Sequence, residues 1–491
     1  MWNIIRMSAM LATCALLVMG VGCTKKVDDG KIPITTSSKE ARELYLQARE
    51  LQDGFLFRES REILEQALAE DPDFALAYRD LAFAQPSNKA FFEYFDKARA
   101  LVDKVSEGER LWILGNEAGI NGDPVKQEEY FLQLVEKYPK DERAHLVLGV
   151  YYFGQQEYGQ AVAEFRKSTE IAPDFSPAYN MLGYSNRNLE DYGETEKAFL
   201  KYIELNPDDP NPYDSYAELL LKMGRFEESI QSYKEALAIK PDFIPSYGGI
   251  AADLVYQGKY EEARGQLHKL LELAKDDGQR RTAYFNIAMS YIDEGKYDQA
   301  LAAIKNQYTL AEGIHDTGAM AGDIGIMAAI LLAQSQYDNA LEKYKTSLKL
   351  IMDSDLSDEI KVNAERNFLY NESRVALKKG DLKTAKARSS LYSTQVSEIG
   401  NVAQIRLAHE LTGMIALEEK DYAKAVEEFL QGNQQNPYNL YQLAMAYKGQ
   451  GNQQKAEEYC TKAARFHSLL NLNYAFTRRK AEKTLSDWAQ K

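Results

Sequence analysis

Four prolines recur at one fixed interval: Pro139, Pro173, Pro207 and Pro241 stand 34 residues apart (173 − 139 = 34). Other positions keep the same phase. Gly149 and Gly183 are followed one period later by Ala217 and Ala251. Phe165, Phe199 and Tyr233 form a second file, and Tyr158, Tyr192, Phe226 and Tyr260 a third. A period of this length, with small, aromatic and proline positions in register, is the mark of a repeated helical unit.

Each period divides into two apolar stripes at helical spacing. Leu148 and Tyr152 lie four apart, with Ala144 one turn earlier; Ala161, Phe165 and Ser168 mark one face of the second stripe. Steps of three and four place side chains on one side of an α-helix. Short polar joints such as Gly154–Glu157, Gly224–Arg225 and Gly258–Lys259 separate the stripes, and glycine suits a helix end because it tolerates left-handed angles. Proline then ends the second helix, since it lacks an N–H and clashes with the turn before it. In the Pro-Asp-Phe runs at Pro72, Pro173 and Pro241, Asp is expected to cap the next helix and Phe to anchor it. Mid-helix Gly149 and Gly183 cost roughly 1 kcal/mol each against Ala. The expected return is a notch for an aromatic ring of the partner helix.

These positions resemble the tetratricopeptide repeat (TPR), in which a large residue, Leu, Gly/Ala, Tyr, Ala, Phe, Ala and Pro recur over two antiparallel helices. Tyr179, Leu182, Gly183, Tyr192, Phe199 and Pro207 match in one unit, and Tyr247, Ile250, Ala251, Gly258, Tyr260 and Ala263 in another. The resemblance implies an all-α, right-handed superhelical solenoid of about twelve TPR-like antiparallel helix pairs. Units 40 and 45 residues long follow residue 275, measured between Tyr297, Tyr337 and Leu382; they imply longer helices or loops.

The N-terminal stretch differs. Arg6 is the only charge in Met1–Gly22, Met7–Gly22 is apolar, and small residues precede Cys23. A charged start, short apolar core and small-residue end fit a secretory signal. Val21-Gly22-Cys23 resembles a bacterial lipoprotein signal, which implies lipidation of Cys23 and a place in the bacterial cell envelope. The expected organisation is a signal peptide over 1–22, a flexible tether over 23–38, a regular array over 39–274, a TPR-like array of longer units over 275–465 and a capping helix over 466–491.

Little points to chemistry. The formal charge of −15 disfavours a basic nucleic-acid face. Five histidines are scattered, and His409-Glu410 lacks the second histidine of a metalloprotease helix. His145 falls on a repeat-core position and Cys460 where Phe165 and Phe199 stand in other units, so both read as packing residues. Neither cofactor nor metal nor catalytic residue is expected. In the resembling family the first helices line the concave face. The candidates there are Asn180, Tyr184, Arg187, Asp214, Glu218 and Tyr256, a mix of aromatic and polar groups suited to peptide recognition. Leu146 and Val150 occupy groove positions where a carboxylate clamp would need polar groups. The functional expectation is a non-enzymatic scaffold that binds a protein or peptide partner. The alternative is a glycan- or nutrient-binding outer-membrane lipoprotein, against which only three Trp speak.

Overall fold

The computed structural model describes residues 30–490. Twelve antiparallel helix pairs follow one another, each counted here as a unit. Units 1 to 4 are α1 (Lys39–Asp53) with α2 (Phe57–Glu70), α3 (Ala75–Phe83) with α4 (Asn88–Ala100), α5 (Glu107–Ile120) with α6 (Pro124–Lys137), and α7 (Glu142–Gly154) with α8 (Tyr158–Ile171). Units 5 to 8 are α9 (Ser176–Asn188) with α10 (Tyr192–Leu205), α11 (Pro210–Lys222) with α12 (Phe226–Ile239), α13 (Ile244–Tyr256) with α14 (Tyr260–Leu273), and α15 (Asp277–Glu294) with α16 (Tyr297–Gly313). Units 9 to 12 are α17 (Thr317–Ala333) with α18 (Tyr337–Met352), α19 (Asp358–Lys379) with α20 (Leu382–Ile399), α21 (Val402–Glu418) with α22 (Tyr422–Gln431), and α23 (Pro437–Gly449) with α24 (Gln453–Ala464). A last helix, α25 (Leu472–Ala489), closes the chain. Among the described residues there is no strand, and no helix is long and apolar enough to cross a membrane.

Local chemistry sets the boundaries. Helices α6, α8, α10 and α12 each end two residues before a proline, at Lys137, Ile171, Leu205 and Ile239. The next helix is capped by the residue two places after that proline. At Asp141 and Asp209 the carboxylate accepts from backbone N–H groups of the first turn. In the Pro-Asp-Phe runs the cap is the phenylalanine, at Phe74, Phe175 and Phe243, with no side-chain bond. The expected Asp cap is therefore corrected: the aspartate stands one residue too early. What holds these starts is apolar, since Phe74 and Phe243 are buried.

The glycine notches are filled by rings sixteen positions on (165 − 149 = 16). A Cβ on Gly115, Gly149, Gly183 or Gly413 would lie 2.2, 2.5, 2.4 or 2.8 Å from the ring of Phe131, Phe165, Phe199 or Phe429. In unit 6 the notch is Ala217, and the ring moves on: Tyr233 presses into Gly249 of unit 7, where a Cβ would stand 2.1 Å away. The longer units after residue 275 are longer helices. Helix α19 has 22 residues against 13 in α7, and 393–399 is helical rather than loop.

The first helices of neighbouring units touch one another, as α7 does α9, α9 does α11, α11 does α13 and α13 does α15. They form the inner wall. It curves tightly enough for Asp53 at the end of α1 to meet Arg143 at the start of α7, through a 3.1 Å bond and a second contact (Arg143 Nη2 to Asp53 Oδ2).

Successive windings meet edge to edge. The turn inside unit 2 meets the start of unit 9, where Asn88 N–H donates to Asp316 Oδ2 at 2.7 Å. Unit 3 meets unit 10 through Asn121 and Ser357 (3.5 Å), and unit 4 meets unit 11 through Arg406, which donates to Gln155 O at 2.9 Å. Unit 5 meets unit 12 through Gln435 and Asn188 (3.4 Å). In these four contacts the offset is seven units (9 − 2 = 7), so about seven pairs make one winding.

Residues 30–38, expected within a flexible tether, are laid along the array. Ile32 N–H donates to Asp141 Oδ2 (2.8 Å), Thr35 N–H to Glu109 Oε1 (2.8 Å) and Ser37 N–H to Asp71 Oδ2 (2.7 Å). This strap crosses the starts of units 4, 3 and 2 in turn. Carboxylates at those turns satisfy backbone donors that an extended segment cannot satisfy itself. The tether reading is corrected over these residues. The expected signal peptide and Cys23 lie outside the described residues.

Candidate binding surface

The six residues singled out from sequence all lie on first helices. Asn180, Tyr184 and Arg187 share one face of α9, Asp214 and Glu218 one face of α11, and Tyr256 ends α13. Five of them bond within the inner wall. Tyr184 OH donates to Glu218 Oε1 (3.1 Å), and Arg187 Nη1 to Glu218 Oε2 (2.9 Å) while its guanidinium lies 4.6 Å over the Tyr184 ring. Ser215 Oγ donates to Asn180 Oδ1 (3.0 Å) and Ser246 Oγ to Asp214 Oδ1 (2.6 Å). Asn180 and Asp214 are buried. Burial and the neighbouring Glu218 charge push the Asp214 carboxyl up to about 8, against the Ser246 bond. These polar groups are thus engaged with one another.

Tyr256 has a different partner. Its hydroxyl donates to Ser468 O and accepts from Ser468 N–H (3.1 Å). The linker between α24 and α25 is seated here. His467 lies 4.9 Å from the Phe226 ring and 5.3 Å from Tyr256, and Lys222 sits 3.8 Å over Phe466. Burial, with the Lys222 and Arg478 charges, pushes His467 down to about 4, so the ring is neutral at pH 7. Helix α25 packs on α15, α23 and α24, and Arg478 Nε donates to Asp293 Oδ1 at 2.9 Å.

His145 and Cys460 are packing residues. His145 is buried between Glu164 (2.7 Å) and Pro139 O (3.1 Å). Cys460 is buried under Ala481 of α25. No cluster of three or more His, Cys, Asp or Glu suited to a metal occurs among the described residues.

The open part of the inner wall lies upstream, in units 1 to 4, around a pocket of about 470 Å³. Its walls include Arg49, Arg79, Trp112, Asn116, Leu146 and Val150. Arg79 lies 4.3 Å over the Trp112 indole and donates to Asn116 Oδ1 at 2.9 Å. The indole N–H of Trp112 has no acceptor among the described residues, and Val150 is exposed. Sequence reasoning named Leu146 and Val150 but missed Trp112 and Asn116. The signal was there: one period before Leu146 and Val150 stand Trp112 and Asn116 (146 − 34 = 112; 150 − 34 = 116).

One buried carboxyl gives a stability test. Asp253 on α13 is fully buried, and its oxygens have no hydrogen-bond donor among the described residues; the Ser229 proton goes to Ala217 O at 2.9 Å. Burial, helped by Glu227, pushes its carboxyl up to about 8. A folded value above the unfolded one means stability is full below about pH 4 and is lost as pH rises through about 8. Asp253→Asn is therefore expected to stabilise the chain at pH 8, by about 2–4 kcal/mol, and to change little at pH 4. Denaturant melts at the two pH values check this. Equal effects at both would refute the assignment.

Comparison with known proteins agrees with this geometry. Family models of the tetratricopeptide repeat match residues 128–176, 176–209, 198–231, 249–307 and 437–466. The chain carries tetratricopeptide repeats over these residues, within the twelve stacked pairs described above. No curated protein matches it. Among solved structures it is similar to a tetratricopeptide repeat protein from Parabacteroides merdae, at 17% identity over 52% of this chain and 97% of that one, with a TM-score of 0.36. It is also similar to TTC0263, a thermophilic TPR protein in Thermus thermophilus, at 19% identity over 35% of this chain and 92% of that one, TM-score 0.31. A third similarity is to the Cut9–Hcn1 hetero-tetramer of APC/C, at 14% identity over 89% of this chain and 79% of that one, TM-score 0.41.

Proposed function

We propose that this chain is a non-enzymatic scaffold that holds an extended segment of a protein partner against the inner wall of units 1 to 4. One observation carries the reading. In units 5 to 7 the inner-wall polar groups bond to one another, whereas in units 1 to 4 the wall encloses a pocket with the exposed Val150 in its lining. Trp112 is buried beneath the Arg79 guanidinium, with an indole N–H that has no acceptor among the described residues, and Val150 is exposed in the same pocket lining. Such a mix of aromatic, apolar and hydrogen-bonding groups suits an extended peptide, whose backbone offers carbonyls and whose side chains seek pockets.

The proposal includes a lipid on Cys23 and a place in the bacterial envelope, on the strength of Arg6, the apolar Met7–Gly22 and the small residues before Cys23. Gly30 is seven residues on (30 − 23 = 7). With the strap fixed to the repeats, such an anchor would hold the array within about 25 Å of a bilayer.

The test places a photo-crosslinking residue at Val150 and, separately, at the outward Glu235. In cells of the source, Val150 is expected to give one dominant protein adduct that Glu235 does not give. The same adducts from both positions, or none from Val150, would refute the groove. Radiolabelled palmitate is expected on the wild type and absent from Cys23→Ala; equal labelling refutes the anchor alone.

A further inference from the structure

A second pocket, of about 480 Å³, opens where the first winding meets the second. Phe55, Phe57, Phe83 and Pro86 come from units 1 and 2; Ile244 comes from unit 7 and Leu470 from the linker before α25. The three phenylalanines are exposed, at 44%, 37% and 45%. Phe55 and Phe57 meet edge to face with centroids 5.6 Å apart.

Phe55 is the informative residue. It occupies the left-handed turn of its unit, with φ 60°. Unit 2 has no left-handed residue in its turn, and the other units place glycine there, as at Gly122, Gly224 and Gly258, or a polar residue, as at Gln156, Glu190, Ser335 and Lys420. A bulky apolar residue at positive φ is backbone-strained, and this one also leaves its ring in water. Inside unit 1 the only ring contact it gains among the described residues is the edge of Phe57.

The charges around the pocket are paired among themselves. Lys240 meets Glu59 at 2.7 Å, Arg61 meets Asp276 at 3.0 Å and Lys275 meets Asp242 at 2.5 Å. A charged ligand would enter without a counter-charge and lose its hydration. One polar group on the wall is uncommitted: the Asn286 carboxamide has no hydrogen bond to the protein among the described residues.

We infer that this pocket binds a neutral, lipid-like small molecule, an apolar chain or ring system with one hydrogen-bonding group. The ring of Phe55 covers the apolar body and Asn286 takes the polar group. Because the walls belong to both windings, the occupied pocket fastens the first to the second. This site adjoins the proposed inner-wall peptide groove, with Phe57 and Phe83 as the shared wall, and Phe55, Ile244, Asn286 and Leu470 belong to it and not to the groove.

The test uses the full chain and the neutral probe N-phenyl-1-naphthylamine. The expected result is a saturable, one-site rise in fluorescence, reversed by 1-decanol and about tenfold less effectively by decanoate at pH 8. Phe55→Gly introduces the residue that other units use at this turn, so its melting temperature is expected to match or exceed the wild type. Its probe affinity is expected to fall about tenfold. Phe83→Ser, a second exposed position, is expected to lose affinity alike. A rise that does not saturate, unchanged affinity in both variants, or equal displacement by decanol and decanoate would overturn the proposal.

Discussion

Arg478→Ala is expected to release the C-terminal helix from the middle of the array. The guanidinium reaches both oxygens of Asp293, with Nε at 2.9 Å from Oδ1, and also meets Tyr260 OH at 2.9 Å, Val255 O at 3.4 Å and Glu482 at 3.1 Å. Burial alone would weaken its charge, but Asp293 holds the guanidinium well above its ordinary value. Removing it leaves Asp293 buried with only the Tyr260 hydroxyl, at 2.7 Å, facing it. Breaking a buried pair in this way costs about 3–5 kcal/mol. The loss falls on the interface that α25 makes with units 7 and 8. Hydrogen exchange should therefore rise over 466–490 and around 255–260, while units 1 to 4 keep their protection. Unchanged protection would mean that Leu470 and Ala475, which pack into the same core, hold the arm unaided. Arg478→Lys should recover only part, since an ammonium cannot reproduce the planar fork.

The second large effect concerns the notches. Phe165→Ala removes a fully buried ring and is expected to cost about 3–5 kcal/mol of the stability of units 3 to 5. Gly149→Ala should also destabilise, by about 1–3 kcal/mol, although alanine is the better helix former. Its Cβ would stand 2.5 Å from Phe165. The double variant should cost less than the sum, because the methyl then occupies part of the space the ring leaves. Denaturant titration of the four proteins gives the coupling directly. Strict additivity would mean that ring and notch do not act as one contact.

These notches were legible because they are local: glycine and ring lie sixteen residues apart in every matching unit. The helix pairs were legible for the same reason, as 34-residue phase carries them without any distant information. The capping error came from counting from the wrong residue. Asp141 and Asp209 show that position, not residue type, decides; two places after the proline, Pro-Asp-Phe offers a ring. The strap was misread because Lys31–Ser38 has the composition of a linker. Its order comes from Asp71, Glu109 and Asp141, residues that lie 34 to 109 positions away. The mutual bonding of the candidate groove residues was not legible in the sequence. The off-file positions lie on first helices, yet nothing in spacing tells that Glu218 is already held by Tyr184 and Arg187. The contact of Tyr256 with Ser468 spans 212 residues and leaves no periodic trace.

The two kinds of contact in this coil differ in what they ask of water. Neighbouring hairpins are joined by hydrocarbon, whereas between units 2–5 and 9–12 the windings meet through amides, hydroxyls and an arginine. Drawn out along its axis, such a coil would exchange those bonds for solvation at little net cost, with every hairpin stack still dry. Between those units the coil is therefore built to lengthen like a spring, until the buried seat of α25 on units 7 and 8 resists.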